Sequence, residues 1–124
     1  METIRIIVVE PQMAPVVKEV PATLESYQSI VGGYIECAYP FKDAVCVVCN
    51  EEGKNLGLEP NRALKTPRGR VYDVIAGTFF VVGTGEEDFI SLTKEQAERY
   101  MKYYEVPDFC IVDCGGMPTM GVKK

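Results

Sequence analysis

The chain contains no histidine among its 124 residues. Histidine is the usual general base for activating serine or cysteine, a common zinc ligand and the side chain that normally titrates near neutral pH. Enzymes can instead use glutamate, lysine, tyrosine or cysteine, but the absence of histidine favours a binding role over catalysis. The segment Gly83–Glu86 also lacks the Gly-Lys-Ser/Thr of a phosphate-binding P-loop. The sequence therefore predicts no cofactor and no catalytic residue.

Long apolar runs are missing as well. No stretch reaches the roughly 18 uncharged apolar residues of a membrane-spanning helix. At the N-terminus Glu2 stands where a secretory signal has Lys or Arg, and Glu10 interrupts the apolar run. These features predict a cytoplasmic protein with no membrane partner, whose five cysteines are reduced thiols.

Positive charge is scarce. Thirteen basic residues stand against eighteen acidic ones, which gives a formal net charge of −5. Binding to the backbone of an extended nucleic acid requires a basic domain, so this balance excludes that class of partner. The length and an apolar content of 47% are those of one globular domain. We expect this domain to span residues 1–106, followed by a C-terminal tail, 107–124, that is partly disordered.

Hydrophobic patterning predicts an α+β fold: a mostly antiparallel sheet of five to six strands with two helices packed on one face. Thr23 is the predicted N-cap of the first helix, Gly32–Gly33 is its predicted end, and a Thr93–Gln96 capping box begins the second helix. The segment Lys54–Gly69 shows no periodicity and is predicted to be a long loop. In the strongest strand, Val71–Val82, Gly77 indicates a bulge or bend.

The main cationic island lies in that predicted loop, against the acidic background of the chain. Arginine can contact phosphate or carboxylate in a bidentate manner, and a phenylalanine that faces outward from a strand could stack on a nucleobase. We therefore predict a binding site for a small anionic ligand. Its candidate residues are Asn61, Arg62, Lys65, Arg68, Arg70, Phe79 and Phe80. The alternative is that these charges are solvated, or that Arg62 pairs with a nearby glutamate.

The cysteines allow a zinc alternative. Cys46 and Cys49 have the two-residue gap of a zinc knuckle, and Cys110 and Cys114 could supply two more thiolates. However, the intervening residues are two valines in a predicted strand, which would point the first pair to opposite faces. Reduced core cysteines and no metal are the favoured interpretation.

Four short motifs, in order, resemble a known group. They are Val31–Glu36, Cys49–Lys54, Pro60–Arg62 and Ile75–Phe80. The chain is similar from Ile4 to about Tyr104 to a family of small, uncharacterised proteins encoded by bacteriophages and conjugative elements of Gram-positive bacteria. That family carries a domain-of-unknown-function label. The resemblance implies a genomic setting, and hence the cytoplasm of a host cell, but no activity.

Three functions stay open. The first is a non-catalytic protein that holds a nucleotide-like signal and so counters host defence. The second is a module that binds a protein partner, through Tyr100–Tyr104 or the acidic turn Glu86–Asp88. The third is a small nucleotide-processing enzyme, for which Asp73 and the pair Glu51–Glu52 are the acids to inspect. Because strand edges in a small domain must be covered, a homodimer or higher homo-oligomer is also expected.

Overall fold

A computed structural model describes residues 2–107 and the backbone of residues 109–111 and 118–120. Most of the predicted C-terminal tail therefore lies outside the described residues. The elements in chain order are β1 (Thr3–Val9), β2 (Val16–Pro21), α1 (Leu24–Val31), β3 (Ile35–Ala38), β4 (Val45–Asn50), β5 (Pro60–Lys65), β6 (Val71–Ala76), β7 (Phe79–Thr84), β8 (Phe89–Ile90), α2 (Lys94–Tyr103), β9 (Phe109–Ile111) and β10 (Pro118–Met120). None of the helices in these described ranges is long and apolar enough to cross a bilayer.

The main sheet has six strands in the order β2-β1-β7-β4-β3, with β8 paired to β7. Every pairing in it is antiparallel. Ile7 lies opposite Val17 on one side and Val81 on the other, and Val81 in turn lies opposite Val47. The predicted α+β fold with a mostly antiparallel sheet and two helices is confirmed.

The two helices lie on opposite faces of this sheet, whereas the sequence analysis placed both on one face. Side chains alternate along a strand, and in β7 both sets are buried. Phe79 packs in a cluster with Tyr100 of α2, while Phe80 packs in a second cluster with Tyr27 of α1. The central strands are apolar at nearly every position because each face of the sheet is covered.

Local signals set the helix ends as predicted. The Thr23 side chain accepts a hydrogen bond from the Ser26 amide at the start of α1, and Gly32 ends this helix with φ +80°. Thr93 and Gln96 form the reciprocal capping box at the start of α2. Each side chain satisfies an amide that the first helical turn leaves unpaired.

The segment predicted as a long loop contains strand β5, so that prediction is wrong for residues 60–65. This strand pairs with β6 in a separate two-stranded ribbon, with register shifts between Pro60 and Arg62 and between Leu64 and Lys65. The bulges break the regular alternation that would have marked the strand in the sequence. Leu64 joins the cluster on the α2 face, so the ribbon covers part of the main sheet.

Gly77 is the point at which the chain leaves the ribbon and enters the main sheet. Its φ is +88°, and its amide donates to the Glu59 carbonyl at 2.7 Å. A Cβ atom at this position would stand 2.7 Å from a side-chain carbon of Leu58. The predicted bend is therefore confirmed, and it requires a residue that accepts a positive φ and has no side chain.

Asp43 connects the β3–β4 turn to α2. Its carboxylate accepts four hydrogen bonds, from the Ala44 amide, Gln96 Nε2, Arg99 Nη1 and Tyr100 Oη. Burial raises the pKa of Asp43, but these hydrogen bonds and the Arg99 charge outweigh burial and hold the pKa below its ordinary value. The stabilisation is therefore complete above the ordinary pKa of about 3.9 and is lost as pH falls through the lower pKa of the folded state.

We expect Asp43→Asn to lower the free energy of unfolding by about 1–2 kcal/mol at pH 7, because the amide accepts fewer and weaker hydrogen bonds. The difference from the wild type should shrink near pH 3, because the carboxyl of the unfolded chain is then largely protonated and part of the stabilisation is lost. Urea unfolding at the two pH values measures this, with Asp88→Asn in the exposed acidic turn as control. An equal difference in the free energy of unfolding at both pH values would contradict the stabilising role of the ionised Asp43 carboxylate.

Candidate functional site: the hairpin tip and the adjacent cavity

Arg62 lies in the interior, with none of its surface exposed. Its guanidinium donates to the Tyr104 carbonyl from Nε (3.2 Å) and Nη2 (2.7 Å). Nη2 also donates to the Met13 carbonyl at 2.8 Å, and Nη1 donates to Asn61 Oδ1 at 2.9 Å. Arg62 thus joins the end of α2 and the β1–β2 turn to the base of the ribbon, and its side chain is enclosed rather than presented to a surface ligand.

Asn61 is equally buried and extends the same network. Its Nδ2 donates to the carbonyls of Val9 and Gly77, both at 2.9 Å. These carbonyls belong to the last residue of β1 and to the bend before β7. Buried polar groups require such partners, and no buried side-chain N or O atom within the described part of the chain lacks one. Asn61 and Arg62 together form what we name the anchor pair.

Phe79 and Phe80 are both completely buried. The sequence analysis placed one of them outward, near the arginines. In the structure the Phe79 ring packs edge-on against Tyr104, with ring centroids 5.2 Å apart, and the Phe80 ring lies 5.6 Å from that of Tyr27. Neither ring offers a face on which a nucleobase could stack.

The other three predicted cations, Lys65, Arg68 and Arg70, lie at the far end of the ribbon. We name this end the hairpin tip (residues 65–70). The Thr66 amide donates to the Arg70 carbonyl, the Gly69 amide to the Thr66 carbonyl, and the Arg70 amide to Thr66 Oγ1. Gly69 has φ +86°, the left-handed residue of a three-residue hairpin loop. The tip therefore has a fixed backbone, and it exposes Arg68 and Arg70 to solvent.

The structure thus divides the seven predicted site residues into two groups. Four lie in the interior, and three lie together at the hairpin tip. The sequence analysis missed Tyr72, which follows the tip on β6 and is 54% exposed. Arg70 and Tyr72 are two residues apart, a spacing that places both on one face of an extended strand. In the sequence, the alternation of Arg70 and Tyr72 with Val71 and Asp73 is the signal that indicates this shared face.

A cavity of about 320 Å³ lies between the ribbon and the β3–β4 edge of the main sheet. Its lining includes the three acids singled out in the sequence, Glu51, Glu52 and Asp73, together with Glu36 and Lys54. Lys54 donates a hydrogen bond to Asp73. This bond outweighs burial and lowers the pKa of Asp73, so that carboxylate is ionised at neutral pH and has no proton to donate as a general acid.

Metal chemistry gains no support from the described residues. Within them, no three His, Cys, Asp or Glu side chains come close enough to hold one ion. Cys46 belongs to the cluster on the α1 face, while Cys49 packs on the α2 face. The opposite orientation predicted for this pair is confirmed. The Cys110 side chain and all of Cys114, the other members of the zinc alternative, lie outside the described residues.

The two predicted protein-contact surfaces are partly accessible. Glu86, Glu87 and Asp88 form an exposed acidic turn. Tyr103 is 43% exposed, and its ring packs edge-on against Phe41, while Tyr100 and Tyr104 are buried. Only one tyrosine of the α2 group therefore reaches the surface.

The fold and the tip define a small α+β domain that carries a charged hairpin outside its main sheet. The chain belongs to the DUF3846 family, a domain of unknown function, whose model matches residues 4–105. This range agrees with the one expected from the four motifs. Comparison with curated proteins and with solved structures gives no significant match.

Proposed function

We propose that this protein is a non-catalytic binding protein whose hairpin tip contacts the acidic surface of a protein partner. The observation that carries the proposal is the tip itself. Arg68 and Arg70 are exposed on a turn fixed by its own hydrogen bonds, and within the described residues neither forms an ion pair. A preorganised backbone reduces the entropy lost on binding.

The shape of the tip favours a protein partner over a small anionic ligand. A projecting turn offers one side of a contact and encloses nothing, whereas small ligands are normally buried in concave sites. The neighbouring cavity is concave, but its lining of four carboxylates and one lysine repels anions. The anchor pair cannot complete an anion pocket, because its polar atoms bind carbonyl groups inside the protein.

The residues around the tip suit a protein contact. Arginine and tyrosine are enriched where interfaces gain most of their binding energy, and Tyr72 shares one face with Arg70. Val71, between them in the sequence, is exposed on the other face of the strand. The three cations at the tip stand out from a chain of net charge −5, which directs an acidic partner to this end of the molecule.

The resemblance to bacteriophage and conjugative-element proteins supplies a setting for this role. In the cytoplasm of a host cell such a protein would block or adapt a host factor, including one that acts in defence. A nucleotide-like signal held at the tip by the two arginines is the second candidate, supported by the ability of guanidinium groups to bind phosphate in a bidentate manner.

Capture from host lysate tests the proposal with three matched baits. They are the wild type, the double variant Arg68→Ala/Arg70→Ala, and the control Lys42→Ala/Lys94→Ala, which removes two other exposed positive charges. We expect a partner that the wild type and the control retain and that the tip variant binds about thirty- to a thousandfold more weakly, since two interfacial arginines at about 1–2 kcal/mol each contribute about 2–4 kcal/mol.

The purified pair should also bind more weakly as salt concentration rises. Equal capture by all three baits would place the interface elsewhere. If no protein is retained and calorimetry detects a cyclic dinucleotide binding only to baits with an intact tip, the small-ligand candidate replaces the protein partner.

We also propose that two copies assemble through β2. This edge strand pairs only with β1 within the main sheet, and Val16 and Val17 are 50% and 42% exposed. An antiparallel pairing of two β2 strands would cover this exposed edge. Sedimentation velocity of the same baits measures the assembly, and a purely monomeric wild type would exclude it.

A further inference from the structure

Two cysteines of neighbouring strands lie together on the α1 face of the main sheet. Cys37 is in β3, the edge strand, and its register partner in β4 is Val48. Cys46 precedes Val48 by two residues in β4. Residues two apart in a strand share a face, so Cys37 and Cys46 are diagonal neighbours. Both contribute to the cluster that packs against α1, with Cys46 fully buried and Cys37 half-buried.

The two thiols belong to one cluster and differ in acidity. A hydrogen bond from Cys46 lowers the pKa of Cys37 to about 7, despite the opposing effects of burial and the neighbouring Glu36. The same hydrogen bond, together with burial, raises the pKa of Cys46. The charge of Cys37 also raises the pKa of Tyr39, the next residue but one in β3. Cys37 is therefore the more acidic of the two thiols, and it is also the less buried one.

Cys49 provides an internal comparison. It lies opposite Glu36 in the same strand pair but packs on the other face of the sheet. Burial, with the charge of Glu36, raises its pKa to about 11. Because the thiolate is the reactive form of cysteine, Cys37 and Cys49 should differ greatly in reactivity at neutral pH, although both are half-buried.

We propose that Cys37 and Cys46 are a modification site, in which a hydroperoxide oxidises Cys37 and Cys46 then closes an intramolecular disulfide. This inference is independent of the hairpin tip. It rests on the diagonal placement of two thiols in one cluster, of which the Cys37 thiol is only half-buried. Sensor cysteines typically combine access, thiolate character and a second cysteine nearby.

The two steps balance. In the first, the Cys37 thiolate attacks a peroxide oxygen, the S–O bond forms, the O–O bond breaks and the leaving oxyanion takes a proton from solvent. In the second, the Cys46 sulfur attacks the sulfur of the Cys37 sulfenic acid. The S–S bond forms, the S–O bond breaks, and hydroxide leaves with the proton of the Cys46 thiol as water. The two thiols lose two electrons and the peroxide gains them.

The position of β3 allows the closure. A disulfide requires Cα atoms about 4.4–6.8 Å apart. Diagonal neighbours in a sheet lie about 7–8 Å apart, so the two strands must move slightly closer before the bond can form. β3 is four residues long and pairs only with β4 within the main sheet. A short edge strand can shift towards its neighbour without disturbing a second ladder.

The experiment treats the reduced full-length protein with one equivalent of hydrogen peroxide, blocks free thiols by alkylation and maps all five cysteines by mass spectrometry. We expect one product that joins the Cys37 and Cys46 peptides and is reversed by dithiothreitol. In Cys46→Ser the sulfenic acid should persist on Cys37 and be trapped by dimedone. The control Cys49→Ser should form the same disulfide as the wild type.

A second measurement does not depend on any variant. Iodoacetamide at pH 7 should alkylate Cys37 at least tenfold faster than Cys49 in the native protein. The proposal is overturned if Cys37 stays reduced while other cysteines oxidise, or if its main product joins it to a cysteine other than Cys46. Equal alkylation of Cys37 and Cys49 would remove its chemical basis.

Discussion

Arg62→Ala should lower the free energy of unfolding by about 3–5 kcal/mol, the largest effect expected for any cation of this chain. The substitution removes hydrogen bonds to the Tyr104 and Met13 carbonyls and to Asn61. Each bond from a charged donor contributes about 1.5–3 kcal/mol, and acceptors left buried without a donor add a desolvation cost. A cavity where the long side chain stood adds to the loss. Urea unfolding monitored by circular dichroism measures it.

Arg68→Ala is the matched control, because it removes the same side chain from the exposed hairpin tip of the same ribbon. Its free energy of unfolding should stay within about 0.5 kcal/mol of the wild type. Arg62→Lys should recover only part of the loss, since one ammonium group cannot reproduce the planar set of donors. Similar stabilities for the two alanine variants would contradict the structural role of Arg62.

Phe79→Ala and Phe80→Ala should each destabilise the protein by about 3–5 kcal/mol, as expected for a large aromatic side chain removed from a packed interior. The two losses should be comparable, because each ring is completely buried in its own cluster on its own face of β7. The same unfolding titration measures both variants.

Tyr72→Ala removes an exposed aromatic side chain from β6 and serves as the control, with little change expected in stability. An outward-facing phenylalanine, as the sequence alone suggested, would behave like Tyr72 instead. A large loss for one phenylalanine and almost none for the other would therefore show that only one face of the sheet is covered.

Features that depend on neighbouring residues could be predicted from the sequence. The capping box at Thr93 and the glycine that ends α1 are encoded within four or five positions, and the structure contains both. The apolar central strands and their antiparallel pairing followed from short turns between β-branched runs. The bend at Gly77 followed from a single glycine inside an apolar segment.

Features that depend on distant chain segments could not be predicted. Nothing near Arg62 shows that its partners are carbonyls at positions 13 and 104. The local pattern of an arginine beside an asparagine fits an exposed loop equally well. The placement of α1 and α2 on opposite faces depends on the strand order β2-β1-β7-β4-β3. The apolar stripe of each helix does not encode which face of the sheet the helix packs on. The cavity acids are likewise brought together only by the packing of the ribbon.

The anchor pair also has a consequence for how this domain can diversify. Asn61 and Arg62 hold the base of the ribbon through carbonyl groups of the interior, so these hydrogen bonds do not depend on the side chains of the hairpin tip. The five residues from Thr66 to Arg70 lie beyond the anchor pair, and none of them belongs to an apolar cluster of the interior. The loop can therefore acquire new binding specificities while the fold beneath it stays unchanged.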